Sequence, residues 1–222
     1  MSLRLVIFDV DGTISDSQSH IHHAMSVGFE AVGQVPPPLA QVRGIVGLSL
    51  PQAVAELAPA LPEATRDAIV AAYKASYMGQ RKVEPAPLYP GAEDFIRGLA
   101  ARDDLLLAIA TGKSKRGLDA LLAHHGLEGI FVSRQVADNH PSKPHPSMIE
   151  ACLAETGIAA ADAVMLGDTS FDMEMARAAG VAAIGVRWGY HAPEVLVAAG
   201  ARCLVADFAA LGAALDEMWS AA

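Results

Sequence analysis

Two aspartates stand close together where a short apolar run of the sequence ends. The run LRLVIF leads directly into Asp9, Val10 and Asp11, within the hexapeptide FDVDGT. Two carboxylates held this close repel each other, which raises the pKa of one of them and favours a proton there. A cation on Asp9 would keep that group ionised. The pattern predicts separate roles, with Asp9 as a nucleophile and Asp11 as an acid and later a base.

Polar side chains also follow two further apolar runs. Thr111 and Gly112 follow LLLAIA, and Asp168 follows AVML shortly before Asp172. A polar turn after a single strand is commonly only a turn, but three of them at three strand ends are less easily explained that way. Ligands of open α/β sheets bind outside the carboxyl ends of the strands. We therefore expect these residues to line one crevice.

The residues of this crevice favour magnesium and phosphate chemistry. Carboxylates without a cysteine or histidine partner suit Mg²⁺, which takes one or two carboxylates and shares oxygens with a substrate phosphate. Thr111 and the N–H of Gly112, at a helix start, can bind phosphoryl oxygens. A lysine is needed to balance the charge, and Lys143 in PSKPHP is the best candidate because the prolines restrict its backbone. An ordinary solvated lysine is the alternative at that position.

Four apolar runs predict the strands that must position these residues. They are hydrophobic on both faces, as buried parallel strands are, and they cover residues 3–8, 105–110, 163–166 and 181–186. Between them the pattern predicts helices at 92–101, 114–124, 146–156 and 171–179. The alternation of strand and helix indicates an α/β fold with a doubly wound, mainly parallel sheet.

One long interval, from residue 9 to residue 104, separates the first two predicted strands. A single crossover unit needs only about 30 residues, and the excess at 15–84 contains no convincing strand. Its pattern predicts helices at 18–32, 50–58 and 63–81, joined by proline-rich segments. The sequence therefore predicts a core made of residues 1–14 and 85–222, and an inserted small α-helical cap at 15–84.

The composition limits the class of protein. The 222 residues are 52% hydrophobic, which is enough for one core domain and a small satellite. A net charge of −9 argues against general nucleic-acid binding. No apolar run reaches the roughly 18 residues that a membrane span needs. Cys152 and Cys203 are expected to be buried thiols in a reducing cytoplasm.

Four short motifs, in order, resemble those of the haloacid dehalogenase-like (HAD) hydrolase superfamily, in its phosphoglycolate phosphatase-like branch. They are FDVDGT at 8–13, ATGKS at 110–114, SKPHP at 142–146 and GDTSFD at 167–172. The predicted cap matches the helical cap of that branch, so the resemblance covers essentially the whole chain. It implies a Rossmann-like core and a Mg²⁺-dependent phosphatase of a small phosphorylated metabolite, with phosphoglycolate as the named example.

The resemblance also implies roles for the four aspartates. Asp9 attacks phosphorus and becomes an aspartyl phosphate. Asp11 protonates the leaving oxygen and then activates the hydrolytic water. Mg²⁺ is held by Asp9, the backbone carbonyl of Asp11, and Asp168, while Asp172 supports the metal site through water.

Three other motif positions are expected to contact the substrate. Thr111 and Lys143 hold the phosphoryl group, and Lys143 also pairs with Asp9. The second motif has Gly112 where many relatives have asparagine, and the backbone N–H of Gly112 is expected to serve instead. The segment RGIVGLS resembles a cap loop that dips toward the site, so Arg43 is expected to meet a second anionic group. A surface arginine in a capping turn is the alternative for Arg43.

Two other functions use the same pair of aspartates. A sugar-phosphate mutase would need a bisphosphorylated intermediate and a cap that excludes water. A phosphoaspartate signalling domain is disfavoured by the size of the cap and by Asp11, since a proton carrier there hastens loss of the phosphate. The resemblance places substrate identity in the cap. We expect a cytoplasmic monomer or homodimer without nucleic-acid or membrane partners.

Overall fold

A single sheet of six parallel strands forms the centre of the computed structural model, which describes residues 3–83 and 85–220. The strand order is β3-β2-β1-β4-β5-β6. The strands are β1 (Arg4–Phe8), β2 (Leu105–Thr111), β3 (Ser133–Val136), β4 (Ala163–Gly167), β5 (Ala182–Val186) and β6 (Cys203–Val205). This confirms the predicted doubly wound sheet. Five residues of the predicted domains lie outside the described residues: 1–2 and 221–222 of the core, and 84 of the cap.

The described part of the chain also contains ten α-helices and one 3-10 turn at Ala160–Asp162. The helices are α1 (Gln18–Glu30), α2 (Leu39–Arg43), α3 (Leu50–Leu57), α4 (Glu63–Val83), α5 (Ala92–Ala100), α6 (Lys115–His124), α7 (Ser147–Thr156), α8 (Ser170–Ala178), α9 (Pro193–Ala199) and α10 (Phe208–Ser220). The seven predicted helices correspond to α1 and α3 to α8. Helices α2, α9 and α10 were not predicted.

Alternation along β1 explains how the sheet is covered on both sides. Successive strand residues point to opposite faces, so Val6 and Phe8 join one hydrophobic cluster while Leu5 and Ile7 join the other. Helices α5, α6 and α10 cover the first face, and α7, α8 and α9 cover the second. Of the two free cysteines, Cys152 is buried on α7, and Cys203 at the start of β6 is half-buried.

Two short edge strands were not predicted, because their sequences carry little of the apolar pattern that indicates a strand. β3 has the polar sequence SRQV and lies at one edge of the sheet. β6 has only three residues and lies at the other edge. Both strands obtain their conformation by pairing with an inner neighbour, β2 and β5 respectively.

Helices α1 to α4 pack around a hydrophobic cluster of their own. In α1 the residues Ile21, Met25 and Phe29 recur at every fourth position and form one apolar stripe. Val54 of α3 and Ile69 of α4 complete the cluster, and both are fully buried. We infer that this cluster is the core of the predicted cap.

Candidate active site

The three central strands deliver predicted site residues to one edge of the sheet. β1 lies between β2 and β4, and all three run parallel. Asp9 directly follows β1, Thr111 ends β2, and Asp168 directly follows β4. The backbone N–H of Asp9 donates to the carbonyl of Leu166 at 2.9 Å, which ties the end of β1 to β4.

Asp9, Asp168 and Asp172 form a buried carboxylate cluster. One oxygen from each residue lies within 4.8 Å of the others, and none of the three is more than 1% exposed. Lys143 is equally buried, and its Nζ lies 2.8 Å from Asp9 Oδ1 and 2.7 Å from Asp172 Oδ1. One ammonium group therefore contacts two of the three carboxylates.

Hydroxyl and backbone donors orient Asp168 and Asp172. Thr13 Oγ1 donates to Asp168 Oδ1 at 2.9 Å, and the Tyr190 N–H donates to Asp168 Oδ2 at 2.8 Å. Asp172 belongs to a capping box at the start of α8, where its Oδ2 accepts hydrogen bonds from the N–H and the hydroxyl of Thr169. The same turn thus starts a helix and fixes a carboxylate of the cluster.

Glycine at position 12 is required by the conformation and by the space beside the cluster. Its φ is 87°, in the left-handed region that disfavours other residues. A Cβ there would lie only 2.2 Å from Asp168 Oδ2. Gly12 therefore lets the chain turn sharply after Asp11 and still pass directly over Asp168.

Burial and mutual repulsion shift the pKa values of the cluster. Burial raises the pKa of Asp9 to about 7, with Lys143 opposing the shift and Asp172 and Asp11 adding to it. Burial, then the charges of Asp172 and Asp9, hold the pKa of Asp168 well above its usual range. Burial alone would lower the pKa of Lys143, but the two carboxylates beside it raise that pKa overall. The ionised cluster therefore has more negative than positive charge, with three carboxylates and one ammonium group.

The donor set of the cluster fits Mg²⁺. All of its donors are carboxylate oxygens, the hard ligands that this ion prefers, and a second cation would return Asp9 and Asp168 to their ionised forms. Asp9 Oδ2 accepts no hydrogen bond from any described residue. Asp9 and Asp168 could bind the ion directly. Asp172 already accepts from Lys143 and Thr169, so it could reach the ion through water.

Asp11 lies outside the carboxylate cluster and has different partners. Its Oδ1 accepts hydrogen bonds from the hydroxyl of Ser17 and from Lys113 Nζ, the latter at 2.7 Å. Lys113 Nζ also donates to the hydroxyl of Tyr77 in α4 at 3.1 Å. Burial would lower the pKa of Lys113, but Asp11 and Tyr77 raise it overall, so Lys113 stays charged. These contacts join Asp11 to a cap helix.

Sequence reasoning assigned no role to Lys113, Ser17, Tyr77, Thr13 or Tyr190. Lys113, Ser17 and Thr13 lie inside or beside the motifs. Their polar side chains, close in sequence to Asp11 and Thr111, could have indicated a role in the site. Tyr77 and Tyr190 lie far from any motif they contact. Only the docking of the cap and the loop after β5 brings them to the site.

The cap loop between α2 and α3 lies directly against Gly112. A Cβ at position 112 would lie 2.5 Å from the carbonyl oxygen of Gly47 and 2.7 Å from that of Leu48. The Ser49 N–H anchors the same loop by donating to Ser142 Oγ at 2.9 Å. The close approach of this loop therefore leaves no room for a side chain at position 112.

A cavity of about 490 Å³ lies between the core and the cap. Asp9, Asp11, Thr111 and Gly112 line its core side. Side chains of α1, α3, α4 and the loop before α3 line its cap side. The nucleophile and acid candidates thus face one shared cavity.

Arg43 is not among the residues that line this cavity. It is exposed at the end of α2, and its Nε donates to the side chain of Gln18. The other predicted residues are brought together: Asp168, Asp172 and Lys143 around Asp9, and Asp11, Thr111 and Gly112 along the cavity.

Within the described residues, no helix combines the length and the hydrophobicity that a membrane crossing requires.

Comparison with known proteins finds relatives over nearly the whole chain. The family model described as haloacid dehalogenase-like hydrolase matches residues 6–186. A protein of Dickeya dadantii named "Probable phosphatase IndB" is 36% identical over 92% of this chain and 90% of its own length. A phosphoglycolate phosphatase of Rhodospirillum rubrum is 30% identical over 94% of this chain and 89% of its own length.

A solved structure shares the fold. The protein titled "a predicted phosphatase from Clostridium acetobutylicum" superposes with a TM-score of 0.87 at 24% identity. The match covers 98% of this chain and 100% of that one, so it includes both the sheet and the cap helices.

Proposed function

We propose, because this chain belongs to the haloacid dehalogenase-like hydrolase family, that it is a Mg²⁺-dependent phosphatase acting through a phosphorylated aspartate. The family match confirms the resemblance predicted from the four motifs. Two relatives of 36% and 30% identity, one named a phosphatase and the other a phosphoglycolate phosphatase, support hydrolysis of a small phosphorylated metabolite.

The observation that carries this proposal is the setting of Asp9. Its carboxylate lies within the three-aspartate cluster, is paired with Lys143, and keeps an oxygen without a hydrogen-bond donor among the described residues. It also lines the cavity that Asp11 lines. A carboxylate nucleophile needs this combination of a nearby positive charge and an oxygen lone pair that no hydrogen-bond donor occupies.

In the first step an oxygen of Asp9 forms a bond to phosphorus while the bond from phosphorus to the ester oxygen breaks. Asp11 gives its proton to the departing alkoxide, so the alcohol leaves neutral. Ser17 and Lys113 both hold Oδ1 of Asp11, which leaves Oδ2 to carry the proton. The products of this step are the alcohol and Asp9 phosphate.

In the second step a water molecule attacks the phosphorus of Asp9 phosphate. The Asp11 carboxylate takes a proton from that water, and the bond between phosphorus and Asp9 breaks. Inorganic phosphate leaves, Asp9 is again a carboxylate, and Asp11 is again protonated. The same acid and base therefore serves both steps.

Positive groups must stabilise the phosphoryl oxygens in both steps. Lys143 lies beside Asp9, and Thr111 and the Gly112 N–H line the cavity next to it. Mg²⁺ held by Asp9 and Asp168 would supply further charge neutralisation there. Fixed charges and donors of this kind account for much of the rate increase in phosphoryl transfer.

The test is phosphate release from p-nitrophenyl phosphate and from a panel of phosphorylated metabolites, with MgCl₂ or with EDTA. We expect turnover only with magnesium. Asp9→Asn should lower it by at least ~10²-fold, the scale of a group that acts chemically. Asp16→Asn is the matched control, because Asp16 is exposed in the same loop. If Asp9→Asn keeps a tenth of wild-type turnover, the nucleophile is another group.

A further inference from the structure

The cap side of the cavity is largely apolar. Met25 of α1, Ile45 before α3, Leu50 at the start of α3, and Met78 of α4 all line it together with Asp9. Apolar side chains gain nothing from contact with a charged phosphoryl group, which favours polar surroundings. This wall is therefore suited to the rest of the substrate, the alcohol that leaves in the first step.

Among the described residues, the cavity lining offers no buried cation without a protein partner for a second anionic group of the substrate. Its lysine and arginine residues among the described residues are Lys74, Lys113 and Arg116. Lys74 and Arg116 are exposed. Lys113 is largely shielded, and its Nζ already donates hydrogen bonds to Asp11 Oδ1 at 2.7 Å and to the hydroxyl of Tyr77 at 3.1 Å. Two of its three N–H donors are therefore taken by protein groups before a substrate carboxylate could bind.

The volume of the cavity also exceeds what a two-carbon leaving group needs. At roughly 30 Å³ per non-hydrogen atom, the share of one water molecule in the liquid, 490 Å³ holds about sixteen such atoms. A substrate as small as phosphoglycolate would leave much of the apolar wall in contact with water. An alcohol with an apolar body would displace that water favourably.

We propose that the substrate is the phosphate monoester of an uncharged alcohol whose body is mainly apolar and larger than glycolate. This inference rests on the proposed phosphatase activity and adds the class of leaving group. Phosphoglycolate, the substrate printed in the names of several relatives, would then be a poor substrate of this chain.

The test compares three synthetic monoesters, n-propyl phosphate, n-hexyl phosphate and phosphoglycolate, by kcat/KM for phosphate release. The two alkyl alcohols have nearly the same acidity, so chemistry differs little between them. Each methylene that becomes buried is worth about fourfold in binding. We expect n-hexyl phosphate to exceed both n-propyl phosphate and phosphoglycolate by at least about tenfold.

A matched pair of variants tests whether the apolar cap side of the cavity causes the preference for n-hexyl phosphate. Leu50 and Leu57 begin and end the same helix, and both are partly buried against the cap cluster. Leu50 lines the cavity, whereas Leu57 is not among its lining residues. Leu50→Ala should lower the ratio of n-hexyl to n-propyl kcat/KM by about three- to tenfold. Leu57→Ala should leave that ratio unchanged.

The outcomes separate this inference from the proposed function. If p-nitrophenyl phosphate is hydrolysed and Asp9→Asn abolishes the activity, the phosphatase stands. A phosphoglycolate kcat/KM equal to or above that of n-hexyl phosphate then overturns the apolar leaving group alone, as does an equal effect of Leu50→Ala and Leu57→Ala. If no monoester is hydrolysed, the proposed function itself is wrong.

Discussion

Asp9 and Asp11 are two residues apart in the chain, yet their side chains have different surroundings. Asp9 lies in the buried cluster with Asp168, Asp172 and Lys143. Asp11 instead accepts hydrogen bonds from Ser17 and Lys113. At the scale of single residues, these different surroundings support the proposed roles of Asp9 as nucleophile and Asp11 as proton carrier, without a histidine or cysteine.

Asp11→Ala separates the two chemical steps. The loss of an acid and base typically costs ~10²–10⁴ in rate, but p-nitrophenol is acidic enough to leave without help. With p-nitrophenyl phosphate the first step should therefore be largely spared and the second should stay slow. We expect a burst of about one nitrophenol per active site in rapid-quench measurements, and a phosphate adduct on Asp9 by mass spectrometry.

An alkyl phosphate serves as the control for Asp11→Ala. Its alkoxide needs the missing proton, so the variant should show uniform slowing and no burst with n-hexyl phosphate. A linear, burst-free course with p-nitrophenyl phosphate and no adduct on Asp9 would show that Asp11 is not the shared acid and base.

At the scale of elements, the position of the cap loop between α2 and α3 depends on one glycine. Gly112 follows β2, and its missing side chain leaves room for the carbonyl oxygens of Gly47 and Leu48. The loop is held on its far side by the bond from Ser49 to Ser142. A strand end of the core and a loop of the cap therefore meet at backbone contact distance, beside the cavity.

Gly112→Ala should displace this loop and lower activity. The added Cβ would lie 2.5 Å from Gly47 O, and misplacing site groups by about 1 Å can cost ~10²-fold. We expect kcat/KM for n-hexyl phosphate to fall by about 10- to 100-fold.

Gly98→Ala is the matched control for Gly112→Ala. Gly98 is exposed within α5, and a Cβ there meets nothing within 4 Å. Alanine should raise the free energy of unfolding by about 0.5–1 kcal/mol without changing kcat/KM. An active Gly112→Ala enzyme with unaltered KM would show that the cap loop does not need this close approach.

At the scale of the whole molecule, burial of the carboxylate cluster lowers the free energy of unfolding, because like charges are brought together away from water. Three carboxylates and the ammonium group of Lys143 become buried together when the chain folds. The raised pKa values of Asp9 and Asp168 reflect that cost. A cation that binds only the folded chain relieves it, so metal binding and global stability should be linked.

Magnesium should therefore raise the melting temperature. At a concentration of about 100 times Kd, binding adds about 2.7 kcal/mol, and 1 kcal/mol corresponds to about 2–4 °C for a chain of this size. We expect a rise of about 5–10 °C in MgCl₂ by differential scanning fluorimetry. Asp168→Asn should lose most of that rise, whereas Asp67→Asn, on the exposed face of α4, should retain it.

A salt of matched ionic strength controls for general screening. NaCl should produce little of the shift, since exposed charges contribute little to stability. Equal shifts in NaCl and MgCl₂, or a full shift in Asp168→Asn, would mean that the cluster holds no magnesium in solution.

The sequence by itself determined the four central strands of the sheet and the motif residues of the candidate site. Its buried central strands are continuous apolar runs, and a parallel sheet brings their carboxyl ends to one edge whatever the loops do. That is why the sequence alone predicts that Asp9, Thr111 and Asp168 lie at the same edge of the sheet. The short edge strands β3 and β6 could not, because pairing with a neighbour rather than local sequence makes them strands.

Only the tertiary structure decided how the cap meets the core. Tyr77 contacts Lys113, the Gly47 loop covers Gly112, and Arg43 donates to Gln18 and is not among the residues that line the cavity. Each of these contacts joins segments distant in sequence, across an interface whose geometry depends on many side chains packing at once. Local patterns record which residues are apolar or charged, but the docking of one hydrophobic cluster against another determines which of them meet.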